Sequence, residues 1–369
     1  MPNPAAAHAA AVAAVAVLCT LAGAAPAAHA QNPDPLDIRA CTDIDNDAQR
    51  LACYDHATRR ASLRKRSEVA PQVPDILRRS QQAQAEREPA RTAVAESGPA
   101  SLLDSRWELA PETKLGTFNV RGYKPVYLMP WFATSHQNAL PHSPNPDNTV
   151  TDRQSLDNAE AKFQLSLKTK VWQGVFGDAG DVWVGYTQSS RWQVYNTGQS
   201  RPFRETDYEP EAMLVFDTHY TVLGWDGRLL GIGLDHQSNG RSNPLSRSWN
   251  RVIAGIGFER AGWTVIARPW WRIPESRADD NNPDISDYIG RGEVQIVREL
   301  HGQEFALMLR HSLRGGARDH GAARFTWAFP LAGNLRGYTE LFKGYGESLI
   351  DYNLDATYFG VGVSVLDWY

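Results

Sequence analysis

The stretch 163-FQLSLKTKV-171 alternates: Phe163, Leu165, Leu167 and Val171 fall on one side of an extended chain, and Gln164, Ser166, Lys168 and Lys170 on the other. The C-terminal run behaves alike, with Phe359, Val361, Val363, Val365 and Tyr369 opposed by Gly360, Gly362, Ser364 and Trp368. A soluble sandwich also alternates, but its outward face is polar, and it seldom sets lysines beside so many aromatic strand ends. In a membrane barrel the assignment is reversed: apolar side chains meet lipid, polar ones line the lumen, and aromatic girdles mark both interfaces. Strands in a bilayer must also close on themselves, because no water is present to satisfy an open edge. About 265 residues at ~10 per strand, plus turns and loops, supply ten to fourteen strands, and bacterial barrels use even numbers. The expected fold is therefore all-β, a transmembrane antiparallel β-barrel of about 12 strands over residues 102–369 with an N-terminal periplasmic extension. A terminal aromatic, Tyr369, fits that reading.

The segments before the barrel differ in kind. Residues 5–30, AAAHAAAVAAVAVLCTLAGAAPAAHA, are an apolar run ending in a small-x-small pattern, which predicts a secretory signal over 1–30 cut before Gln31. After that cut two cysteines remain, Cys41 and Cys53, which an oxidising compartment would pair. From about Ala61 to Ala100 the chain is rich in Arg, Gln, Glu, Ala and Pro and poor in aromatics, so it reads as a linker that cannot bury a core. Residues 31–101 are thus expected to form the periplasmic extension. A net charge of -4 carries no basic footprint for nucleic acid, and no run after residue 30 is apolar and long enough for a spanning helix.

Parity also predicts where the polar residues of 233-GLDHQSNGRSNPLSRSWNRV-252 point. Leu230, Ile232, Leu234, His236 and Ser238 share one face, and Asn250 shares its own with Val252, Ala254, Ile256 and Phe258. All three polar residues end a lipid-facing stripe. Antiparallel strands joined by the loop between them would bring Ser, His and Asn together near one rim. A serine hydroxyl becomes a nucleophile when a base takes its proton and a third group orients the base. The loop adds glycine amides for an oxyanion and hard oxygens suited to calcium.

The run HQSNGRSNPLSRSWNR, with YTQSSRWQ, RPFRETDYEPE, DDNNPDISDYIG and GYGESLIDYN, resembles outer membrane phospholipase A of Gram-negative bacteria from about Leu102 to Tyr369. That resemblance implies hydrolysis of phospholipid acyl esters (A1, A2 and lysophospholipase activity) in the outer membrane, with Ser238 as nucleophile, His236 as base, Asn250 orienting it and the Gly240 amide as oxyanion donor. It implies a Ca2+ ion held by the Arg241 carbonyl, the Ser246 hydroxyl and Ser200 of the partner subunit in a homodimer, with Gln188 at the dimer interface. A further calcium position falls on Asp280 or Asn281. Asn243 stands where the family often has Asp, which implies a less negative calcium site. Arg204, Glu205 and Glu209 read as a lumen network rather than catalytic carboxylates. The rival readings are a non-enzymatic barrel, which as a wide pore should conduct ions, and another barrel lipid hydrolase.

Overall fold

The computed structural model describes residue 41 and residues 44–57 and 101–366. The expected signal and the expected linker lie outside the described residues. The chain divides into two compact units, Met1–Arg91 and Thr92–Tyr369. In the first, Cys41 and Cys53 are joined in a disulfide with Cα atoms 5.6 Å apart. Helix α1 (Asp47–Ala57) carries Cys53 and begins where the Asn46 side chain accepts from the Ala48 and Gln49 amides.

The second unit is a closed antiparallel barrel. Its strands are β1 (Val120–Gly122), β2 (Val126–Thr134), β3 (Ala159–Trp172), β4 (Asp181–Trp192), β5 (Phe203–Val222), β6 (Trp225–Ser238), β7 (Ser248–Arg260), β8 (Trp263–Ile273), β9 (Gly292–Leu300), β10 (Gln303–His311), β11 (Gly321–Ala332), β12 (Leu335–Tyr345) and β13 (Asp355–Leu366). Each of β3 to β13 pairs with its sequence neighbour, and β13 pairs with β2 to close the ring. The short β1 pairs with β3 below the place where β2 does, so the two share one position and the barrel has 12 staves. This agrees with the expected strand number.

The face assignment follows the sequence period. On β3, Leu165 is 49% exposed, whereas Ser166, Lys168 and Lys170 are each 1% exposed. Pairing stabilises most of these buried charges: Lys162 with Glu340 and Glu347, Arg191 with Asp207 and Glu347, and Arg204 with Glu160 and Asp351, while the Lys168 ammonium lies over the Trp107 ring. Arg204, Glu205 and Glu209 do face the lumen, but each is satisfied from elsewhere. Glu205 accepts from Asn239 and the Ile350 amide, and Glu209 pairs with Lys124 and Arg251.

The two rims differ. At one, β5–β6, β7–β8 and β9–β10 are joined by two residues, both at positive φ: Leu223-Gly224, Ala261-Gly262 and His301-Gly302. That geometry matches the right-handed twist of the flanking strands and reads as the periplasmic rim. Helix α2 (Leu102–Trp107) is tied to β7 by Ser101 Oγ–H and the Leu103 amide, which donate to the Glu259 carboxylate, and Leu103 packs with Trp183, Val215 and Leu229 inside the barrel. The opposite rim carries the long loops, including the one between β6 and β7.

Candidate active site

Strands β6 and β7 pair with His236 directly opposite Asn250 and Ser238 opposite Ser248. All these side chains point outward, continuing the stripe of Leu230, Ile232 and Leu234, which are 45%, 52% and 44% exposed. His236 Nδ1 lies 2.8 Å from Asn250 Oδ1. An amide oxygen only accepts, so the imidazole proton sits on Nδ1 and Nε2 is left with a lone pair. Asn250 Nδ2–H donates in turn to Glu275 Oε1 at 3.0 Å. Burial pushes the Glu275 carboxyl up from its ordinary range, an effect countered by the nearby Arg272. Among the described residues Ser238 Oγ forms no hydrogen bond to His236; such catalytic contacts commonly tighten only around substrate.

The β6–β7 loop is built from inside. Asn239, 3% exposed, donates to Glu205 and to the Leu245 carbonyl, while its side-chain Oδ1 accepts from the Arg241 and Arg247 amides. Arg247, fully buried, donates to the Pro244, Ser246 and Asn148 carbonyls. This turns Gly240 out at φ +62, where a Cβ would come 3.1 Å from the Tyr208 ring. The Gly240 N–H has no acceptor among the described residues and is two residues beyond Ser238.

The residues expected to hold calcium are brought together in part. Asn281 Nδ2–H donates to Ser246 Oγ at 3.0 Å, and Asn148 Nδ2–H donates to Asn243 Oδ1 and to the Ser246 carbonyl. Asp280 is drawn aside by Arg272, whose Nη2 lies 2.6 Å from its Oδ1. Ser200, exposed on the β4–β5 loop at φ 57, bonds to none of these residues within the chain. Gln188, outward on β4, accepts from the Tyr186 hydroxyl at 3.1 Å, which offsets the cost of an amide on the lipid face.

The profile of the Phospholipase A1 family matches residues 103–365. The chain belongs to the phospholipase A1 family. It is similar to the phospholipase A1 of Klebsiella pneumoniae, 40% identical over 208 residues that make up 56% of this chain and 71% of that one. The crystal structure of outer membrane phospholipase A from Escherichia coli matches with a TM-score of 0.60 at 35% identity, covering 68% of this chain and 95% of that one. The Salmonella typhi outer membrane phospholipase dimer with bound calcium matches with a TM-score of 0.60 at 37% identity, covering 68% and 94%. This phospholipase A1 family member is accordingly an outer-membrane barrel enzyme.

Four residues of this region escape sequence reasoning: Asn148, Asn239, Arg247 and Glu275. Glu275 alone left a signal. Trp271, 60% exposed, and Ile273 share its parity, so an acid follows on the lipid-facing side of β8, and Ile273 pairs with Asn250.

Proposed function

We propose that this phospholipase is calcium-dependent, is activated by dimerisation, and hydrolyses phospholipid acyl esters at the lipid-facing wall through Ser238, His236 and Asn250. The observation that carries the reading is the His236–Asn250 hydrogen bond of 2.8 Å on the outer face, with Ser238 two residues along the same stripe. A phospholipid diffusing in the leaflet meets these groups without entering the lumen. Ser238 Oγ attacks the ester carbonyl carbon as His236 Nε2 takes its proton, and the carbonyl electron pair moves onto oxygen, beside the Gly240 N–H. Collapse of that oxyanion breaks the bond to the lysophospholipid oxygen, which leaves with the proton held on His236. Water, deprotonated by His236, then splits the acyl-serine, releasing a fatty acid and restoring the hydroxyl.

The donor set suits Ca2+: the Arg241 carbonyl, Ser246 Oγ, Asn243 and Asn281 offer hard oxygens, and the Asn148 Oδ1 beside them is buried and finds no hydrogen-bond partner among the described residues. When bound, the ion would supply positive charge near the developing oxyanion. Ser200 of the partner subunit would complete the set, which makes ion and dimer mutually dependent. The experiment is hydrolysis of a phospholipid in detergent with calcium or chelator, read beside crosslinking. Ser238→Ala should lose on the order of a million-fold in turnover while the barrel still folds. Activity within tenfold of wild type would remove Ser238 from the mechanism. Ser200→Ala should shift calcium-dependent crosslinking and hydrolysis together; unchanged calcium dependence would sink the shared site alone.

A further inference from the structure

An asparagine in the orienting position raises a problem that an aspartate would not. Its amide has two ends of nearly equal shape, and only one of them can receive the imidazole N–H. A carboxamide on a lipid-facing wall, rotated by half a turn, would present its NH2 to His236 and would favour the wrong tautomer. It also lacks the negative charge that steadies an imidazolium. Glu275 addresses both. It lies just beyond the end of β8, Asn250 pairs with Ile273 of that strand, and the Glu275 carboxylate accepts from Asn250 Nδ2–H at 3.0 Å. An ionised carboxylate only accepts, so the NH2 must face it and the carbonyl must face His236.

We infer that Glu275 is a positioning residue that locks the Asn250 amide in its productive orientation and lends the orienting group a negative charge at one remove, making a relay Ser238–His236–Asn250–Glu275. The inference rests on the proposed roles of Ser238, His236 and Asn250. Arg272 Nη2 lies 2.6 Å from Asp280 Oδ1, and the direct side-chain partner of Glu275 is Asn250, while the positive charge of Arg272 favours the ionised form of Glu275. The partial burial of Glu275 strengthens its bond to the amide by limiting competition from water.

The test is steady-state hydrolysis of a phospholipid in mixed micelles at saturating calcium by the full chain, comparing wild type, E275A, E275Q, N250A, N250A/E275A and S238A. Each is first shown to be a folded barrel by heat modifiability on a gel. E275A is expected to lower kcat about tenfold with KM unchanged, the size of one lost hydrogen bond to a charged group. E275Q, which keeps an acceptor without the charge, should recover part of the loss. In the N250A background, E275A should cost nothing further, because the residue through which it acts is gone. An equal loss with and without Asn250, a loss confined to KM, or a fully active E275A beside an inactive S238A would each overturn the role of Glu275 and leave the serine mechanism standing. An active S238A would remove both.

Discussion

Asn243 is the single residue whose identity most changes the charge of the loop. It accepts from Asn148 Nδ2–H at 3.0 Å through an oxygen that an aspartate would also present. Asn243→Asp therefore keeps the contact and adds a negative charge beside Ser246. Under the proposed calcium dependence, the midpoint of a calcium titration of hydrolysis should fall severalfold, because affinity in oxygen cages follows ligand charge. An unchanged or higher midpoint would mean that the Asn243 side chain is not among the ion's neighbours. Asn243 is easy to find in the sequence, whereas Asn148 is not. Nothing local distinguishes Asn148 from other loop asparagines, since its partners lie 95 and 98 residues further along.

Strand hairpins set the periplasmic rim, and their turns are not uniformly well matched to their conformation. Leu223 has φ 51 and is 91% exposed, so it bears the Cβ strain of a left-handed residue and offers lipid-free water a large apolar side chain. Leu223→Asn places there a residue that tolerates this conformation and precedes Gly224, the favoured pair for such a turn. It should stabilise the barrel by about 1 kcal/mol. The check is the midpoint temperature at which the folded band is lost on a gel, which should rise while hydrolysis stays as in wild type. A lower midpoint would show that the turn depends on the leucine. The positions of the turns are readable from alternation ending in Leu-Gly, Ala-Gly and His-Gly; the strain at the first of each pair appears only with the backbone.

Across the barrel, buried ion pairs stand beside the apolar clusters of the interior and tie distant staves together. Arg204 on β5 holds Glu160 of β3 and Asp351 of the β12–β13 loop at 2.8 and 2.7 Å, and all three side chains are at most 3% exposed. Removing the arginine leaves two carboxylates buried and uncompensated, which costs about 3–5 kcal/mol. Arg204→Ala should therefore lower the free energy of reversible unfolding by urea in lipid vesicles by about that amount. A change under 1 kcal/mol would mean that water enters and solvates the pair. Parity alone would set Arg204 with Thr206, Tyr208 and Pro210 on the outer face; it turns inward beside Glu205 because the pairing of β5 with β4 shifts by one residue there. Its partners are equally hidden in the sequence, since Glu160 and Asp351 lie 44 and 147 positions away.

The period of two in the chain is a local property, so sequence alone was enough to say that apolar residues face lipid, that lysines face the lumen, and that His236, Ser238 and Asn250 all point outward. The resemblance of five separated motifs added the roles those side chains would play. Which residue stands opposite which is a different kind of fact. It depends on the hydrogen-bond register between strands and on the closure of β13 against β2, and both are set by the energetic need to pair every backbone group around the ring at once. The register of consecutive β6, β7 and β8 sets His236 opposite Asn250 and Ile273 beside it, which brings Glu275 to the amide that orients the base, and the barrel as a whole brings Asn148 from the β2–β3 loop to the β6–β7 loop.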